Sequence, residues 1–276
     1  MTDATPPPPP PPPPPLLPPV PAPPPLPGPA TRPPPAVRSF AAFPTVYRLL
    51  LRSQLSRTRI LALSALGLTA ILVGFAIGGS DPVDPLATGA AFINTFGLSV
   101  SVPVTSLVFA SAALGDLTDD STLVYLWVRP LRRWVIVVAA FLAAVTVTVP
   151  LVVVPLVIAA SLTGGGIDLI AGTVLAATLG VLAYAGLFTA LGLRVRRALA
   201  WGLLYILIWE GFVARGGDNA ARLAVRSVTA TILADWSGVE VRLAVLAPTT
   251  AYVAPFVVAA VALAYATRRL KRQDVA

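Results

Sequence analysis

Ionisable side chains are scarce in this chain, so the places where they gather, or stand alone in an apolar run, carry most of what the sequence says about chemistry. Residues 115–134, GDLTDDSTLVYLWVRPLRRW, lie between two long apolar segments. Acidic Asp116, Asp119 and Asp120 come first, then Leu123, Val124, Tyr125, Leu126 and Trp127, then Arg129, Pro130, Arg132 and Arg133. Large apolar anchors rimmed by charge suit binding to another protein, the anchor supplying energy and the rim orientation. Glu210 is the second feature, a carboxylate inside an apolar segment, where a charge is costly and ordinarily faces a cavity, an ion path or a partner. It could line a substrate route or carry a coupling proton, or it could form a structural pair with Arg215 or Arg222. Its position near the end of the segment, where snorkelling is cheap, favours the pair. Neither feature resembles catalytic machinery. The chain has no Cys and no His, which removes thiolate chemistry, the usual general base and the commonest metal ligand. The single lysine is Lys271, so a phosphate-cradling G-x-x-x-x-G-K-[ST] loop cannot be written. No catalytic residue, cofactor or metal site is expected, and any ATP would be bound by a partner.

The elements that position these residues follow from composition. Of 276 residues, 56% are hydrophobic and 12% charged, against about a quarter charged in a soluble domain. The expected fold is all-α and polytopic, with six transmembrane helices at 60–77, 93–114, 134–157, 167–193, 198–213 and 245–267, each near the roughly 20 residues that cross a bilayer. Pro103, Pro150, Pro155, Pro248 and Pro255 should kink or locally open these helices. Gly172, Ala176 and Gly180 recur every four residues in the fourth segment, a small-residue stripe that admits a close neighbour. Residues 1–42 are read as a disordered, proline-rich cytoplasmic tail, unbroken proline from Pro6 to Pro15 favouring solvated polyproline II. The six-helix domain then occupies 43–276. Its first stretch, 43–59, sets Val46, Leu49, Leu50 and Leu55 against Arg48, Arg52, Arg57 and Arg59, the pattern of a basic helix lying on the inner leaflet.

Arginine placement orients the whole. The clusters at 48–59, 129–133, 194–197 and 268–272 fall on one side if six helices alternate, while loops 80–91 and 161–166 carry no basic residue. Both termini are therefore expected in the cytoplasm, with the protein in the cell membrane. The net charge of +8 reports topology and attraction to acidic lipid; no basic folded surface outside the bilayer is available for nucleic acid. Between 223 and 236, Val225, Val228, Ile232 and Trp236 recur at helical spacing. Such a helix could partly re-enter the membrane as an external gate with Trp209 and Glu210, or lie on the surface anchored by Trp236.

The order Gly115, Asp116, Thr122, Leu123, Tyr125, Leu126, Arg129, Pro130 and Arg133 resembles the loop between the second and third helices in membrane subunits of type-2 ABC exporters. Ser121 stands where a Gly is usual and Leu117 where a second acidic residue is common. Trp209, Glu210 and Gly211 are similar to the outer end of that family's fifth helix, and the basic stretch 43–59 to its interfacial elbow helix. The resemblance implies a permease subunit that forms the substrate pathway. It would pair with itself or a related permease and dock on a separate ABC ATPase through Asp116, Asp119, Asp120, Tyr125, Leu126, Trp127, Arg129 and Arg133. Rival classes are a secondary transporter with Glu210 as its proton site, or an intramembrane enzyme.

Overall fold

The computed structural model describes residues 39–119 and 132–272. Residues 1–38 of the expected tail lie outside the described residues, as do Asp120, Tyr125, Leu126, Trp127 and Arg129, whereas its last four, 39–42, are helical. All regular structure among the described residues is helical. Helix α1, Ser39–Gln54, is followed after a break at Leu55 and Ser56 by α2, Arg57–Gly78. Helix α3, Pro85–Phe92, starts with Pro85 at its first position and Asp84 capping it, the Ala87 N–H donating to the Asp84 carboxylate at 2.9 Å. It runs through a π-helical segment, Ile93–Ser101, into α4, Val102–Asp119. Helices α5, Arg133–Leu162, and α6, Gly166–Arg194, follow. Then come α7, Ala198–Leu204, which continues as a π-helical turn, Tyr205–Glu210, the short α8, Asp218–Ala221, α9, Val225–Ser237, and α10, Pro248–Arg272.

Among the described residues, five helices are long and apolar enough to cross a membrane: Arg57–Gly78, Pro85–Gly115, Arg133–Leu162, Gly166–Arg194 and Pro248–Leu270. The expected fifth segment, 198–213, forms a helix only over Ala198–Glu210. At 1.5 Å per residue that is about 20 Å, short of a hydrocarbon core about 30 Å thick.

Helix α6 is the hub, packed on α4, α5, α9 and α10. Its small residues allow this, because a missing side chain lets another backbone approach closely. The Gly172–Gly180 stripe receives α9: a Cβ on Gly180 would fall 2.8 Å from Thr229 Cγ2, and one on Gly172 would fall 3.0 Å from Trp236 Cβ. Tyr184, Phe188, Phe109 and Leu156 are fully buried around this hub. Helix α2 is more peripheral. Only its Leu63, Gly67, Ala70 and Gly74 face inward, a single stripe against α5, and Leu61, Leu68, Leu72 and Phe75 are exposed.

The basic stretch 43–59 divides between two helices, since α2 already begins at Arg57. Val46 and Leu50 are buried in a cluster with Ile136, Val137 and Leu270, whereas Leu49 and Leu55 are exposed beside Arg48 and Arg52. Only half of the apolar set therefore shares the packed face. The Tyr47 and Thr146 hydroxyls, 2.9 Å apart, fasten α1 to α5.

Candidate functional site

The feature with the most unusual local chemistry is the junction of α7 and α9. Along α6, the Tyr205 ring meets Phe188 edge-on at 6.2 Å between centroids, while Thr229 lies beside Gly180 and Trp236 beside Gly172. Helices α7 and α9 thus lie end to end along α6, both antiparallel to it, and the junction falls beside its middle, where Tyr184 is buried. Residues 211–224 make an excursion between the two half-helices that returns the chain to its starting point.

Glu210 closes the junction. It is buried, and Oε1 accepts from the Tyr205 hydroxyl at 3.0 Å and from Val225 N–H at 3.1 Å, while Oε2 accepts from Arg226 N–H at 3.1 Å. Val225 and Arg226 open α9, whose own cap residue, Ala224, has no hydrogen-bonding side chain to offer. Glu210 therefore does the work of an N-cap from fifteen residues upstream, satisfying orphan N–H groups and placing negative charge at the positive end of a helix dipole. The π-helical turn, an extra-residue geometry common at functional positions, carries Glu210 at its last residue. The Tyr184 hydroxyl interacts with the same carboxylate, though not in regular hydrogen-bonding geometry. The rings of Tyr184 and Phe188 stack at 5.8 Å, making one wall of the site. The Arg226 side chain is buried in the same region.

The other π-helical segment braces the far side. Asn94 Nδ2 donates to the Arg242 carbonyl at 3.3 Å, and Ser227 Oγ donates to the Leu243 carbonyl at 2.7 Å. Leu243 adopts a left-handed φ of 74°, so this return segment is held in a strained conformation by contacts at both residues.

The sequence candidates separate in space. Of the two arginines expected to pair with Glu210, Arg222 is exposed while the carboxylate is engaged by the α9 N–H groups, and the Arg215 side chain lies outside the described residues. Trp209 is half-buried next to Glu210. Trp236 is at the opposite end of α9, where its Nε1–H donates to the Tyr252 hydroxyl at 2.8 Å and that hydroxyl donates to Asp235 at 2.8 Å. The three gate candidates therefore flank α9 and do not form one cluster. Of the docking candidates, Asp116 and Asp119 lie in the last turns of α4. Arg133 opens α5 and donates from Nη1 to the Leu270 carbonyl at 2.9 Å, near the end of α10.

Tyr184, Tyr205, Asn94 and Arg226 were not singled out in the sequence. One signal was available: Ala-Val at the start of a predicted helix supplies no capping side chain, so a buried α9 must borrow its cap. No group of three or more metal-ligating side chains occurs among the described residues. The hydrogen bonds described for the Glu210 carboxylate are all accepted from donors, two of them the N–H groups that open α9. No protein-family model matches the chain, and no curated protein matches it significantly.

Proposed function

We propose that the chain is the permease subunit of an ATP-binding-cassette exporter, with two such subunits, identical or related, forming the pathway and separate ATPase subunits supplying the energy. The observation that carries this reading is the charged, aromatic stretch 115–134, set between two of the long apolar helices. In this reading the chain crosses the cell membrane six times, both termini are cytoplasmic, and α1 is the interfacial elbow. The fifth crossing is split, α7 covering the cytoplasmic half and α9 the outer half. Half-helices meeting inside a bilayer are tolerated when the freed backbone groups are satisfied within the protein, and the Glu210 cap meets that condition.

The coupling follows from Arg133. The 120–131 segment leads directly into α5, and Arg133 ties the start of α5 to the end of α10. ATP-driven movement of a docked ATPase would act on α4 and α5 and, through this contact, on α10, a rigid-body change of the kind that alternates access. Burial of Glu210 favours the proton-coupled transporter as the second reading.

The test is co-purification. Tyr125→Ala with Trp127→Ala removes two anchors of a type that contributes about 2 kcal/mol or more each. The variant is expected to lose the ATPase in mild detergent while the membrane subunit stays folded. An unchanged ratio of ATPase to membrane subunit in the folded fraction overturns the docking reading.

A further inference from the structure

A crevice of about 470 Å³ opens where α1 turns into α2, against the middle of α5, and it is lined by Leu51, Leu55, Ile60, Thr146, Pro150 and Leu151 among others. Its volume is within the range of about 300–1,000 Å³ that holds small ligands. The lining is apolar apart from Thr146, whose hydroxyl is engaged with Tyr47. Pro150 lines the groove from inside α5. It lacks an N–H, so the Thr146 carbonyl one turn earlier loses its helical donor where the groove opens.

Charge sits on one rim. Arg48 and Arg52 are exposed on α1, one turn apart, and they border a second hollow together with Thr45 and Leu49. Arg52 directly follows Leu51 in the chain, so this basic ridge runs alongside the apolar groove. Ile60, which lines the crevice, is the first residue of the apolar run of α2 after Arg57 and Arg59. Arginines at the edge and an apolar groove just inside match the two parts of a membrane lipid, a phosphate-bearing headgroup and an acyl chain.

We propose that this crevice seats one acyl chain of an anionic phospholipid, with Arg48 and Arg52 holding its headgroup. Diffuse attraction of a basic helix to the bilayer would discriminate only by surface charge. A seat of this shape adds stoichiometry: one retained lipid per chain, dependent on both the groove and the ridge.

Native mass spectrometry of the full-length protein in mild detergent tests this, with phosphatidylglycerol and phosphatidylcholine offered in equal amounts. Wild-type protein is expected to retain one phosphatidylglycerol per chain, preferred roughly 30-fold from two surface arginines. Leu55→Trp fills the groove from its exposed rim and should abolish retention of either lipid. Arg48→Gln with Arg52→Gln should keep one lipid but reduce the preference to near parity. Retention of phosphatidylglycerol unaffected by Leu55→Trp overturns the proposal, as does equal retention of the two lipids by wild type. A Leu55→Cys variant that cross-links to a second copy in the membrane would give the groove to a protein neighbour, and would equally overturn it.

Discussion

Replacing Glu210 by alanine removes the acceptor for the Val225 and Arg226 N–H groups and for the Tyr205 hydroxyl. The hydroxyl can rotate to another partner, but Val225 and Arg226 are buried, and each buried donor left unsatisfied costs about 1–3 kcal/mol. Partial relaxation and the scale of measured N-cap losses, about 0.5–2 kcal/mol, place the net effect near 3 kcal/mol. The loss is local, because other contacts still hold α9 against α6. Amide hydrogen exchange is therefore the proper assay, with residues 228–233 as the reporters. A loss of about 3 kcal/mol corresponds to exchange more than 100-fold faster there, at tenfold per 1.4 kcal/mol, with little change in α2. Glu210→Gln keeps one oxygen but turns an N–H₂ group toward the α9 donors, so its effect should be smaller. If α9 exchanges no faster in Glu210→Ala than in wild type, the carboxylate is not the cap that holds it, and the split-helix argument fails with it.

Two further outcomes are expected. Single cysteines at Ser80 and at Ala198, in a chain without native cysteine, should label from opposite sides of the membrane, Ser80 from outside; labelling of both from one side contradicts the proposed topology. A Cβ on Gly74 would fall 2.7 Å from the Ala159 carbonyl oxygen and 2.8 Å from its Cα, whereas the nearest atom to one on Gly115 is 3.8 Å away. The obstacle at Gly74 is backbone, so overpacking of about 1–3 kcal/mol exceeds the roughly 1 kcal/mol that alanine gains in a helix. Gly74→Ala should lower the melting temperature in detergent while Gly115→Ala does not, and equal tolerance of the two would refute the packing of α2 on α5.

The long helices were legible because each is an apolar run longer than a bilayer is thick, a signal that survives without knowledge of neighbours. Helix α9 was legible as a helix, but its burial was not. Its sequence, VRSVTATILADWS, carries Arg226, Ser227, Thr229 and Thr231, all buried. The threonine hydroxyls are satisfied locally, Thr229 donating to the Arg226 carbonyl at 3.0 Å and Thr231 to that of Ser227 at 2.9 Å, as does Ser237 to that of Leu233 at 2.8 Å, while Ser227 donates outside the helix to the Leu243 carbonyl. Hydroxyls that bond back to their own helix cost little to bury, so composition overstated how much water α9 needs. Glu210 does stand at a helix end, as the sequence indicated, and that end lies beside the middle of α6.

This end of α7 divides the molecule into parts that respond differently to force. At the basic end, Arg133 donates to the Leu270 carbonyl at 2.9 Å and Arg269 to the Leu193 carbonyl at 3.4 Å, and Arg194 reaches the Tyr265 hydroxyl. Cations at helix C-termini satisfy orphan carbonyls and oppose the dipole, so these contacts join α5, α6 and α10 into one clasp. Helix α7 departs from that end through Arg197, a non-glycine residue in the left-handed region at φ 63°, and is not part of these contacts. Its far end is attached to α9 by the Glu210 carboxylate. A push on α5 is thus shared with α10 and α6 through this clasp, while the far end of α7 is joined to α9 through the Glu210 carboxylate. If the proposed permease opens a path between its helices, that joint is where relative movement costs least, since hydrogen bonds to one side chain can re-form at a new angle but an interdigitated helix pair cannot.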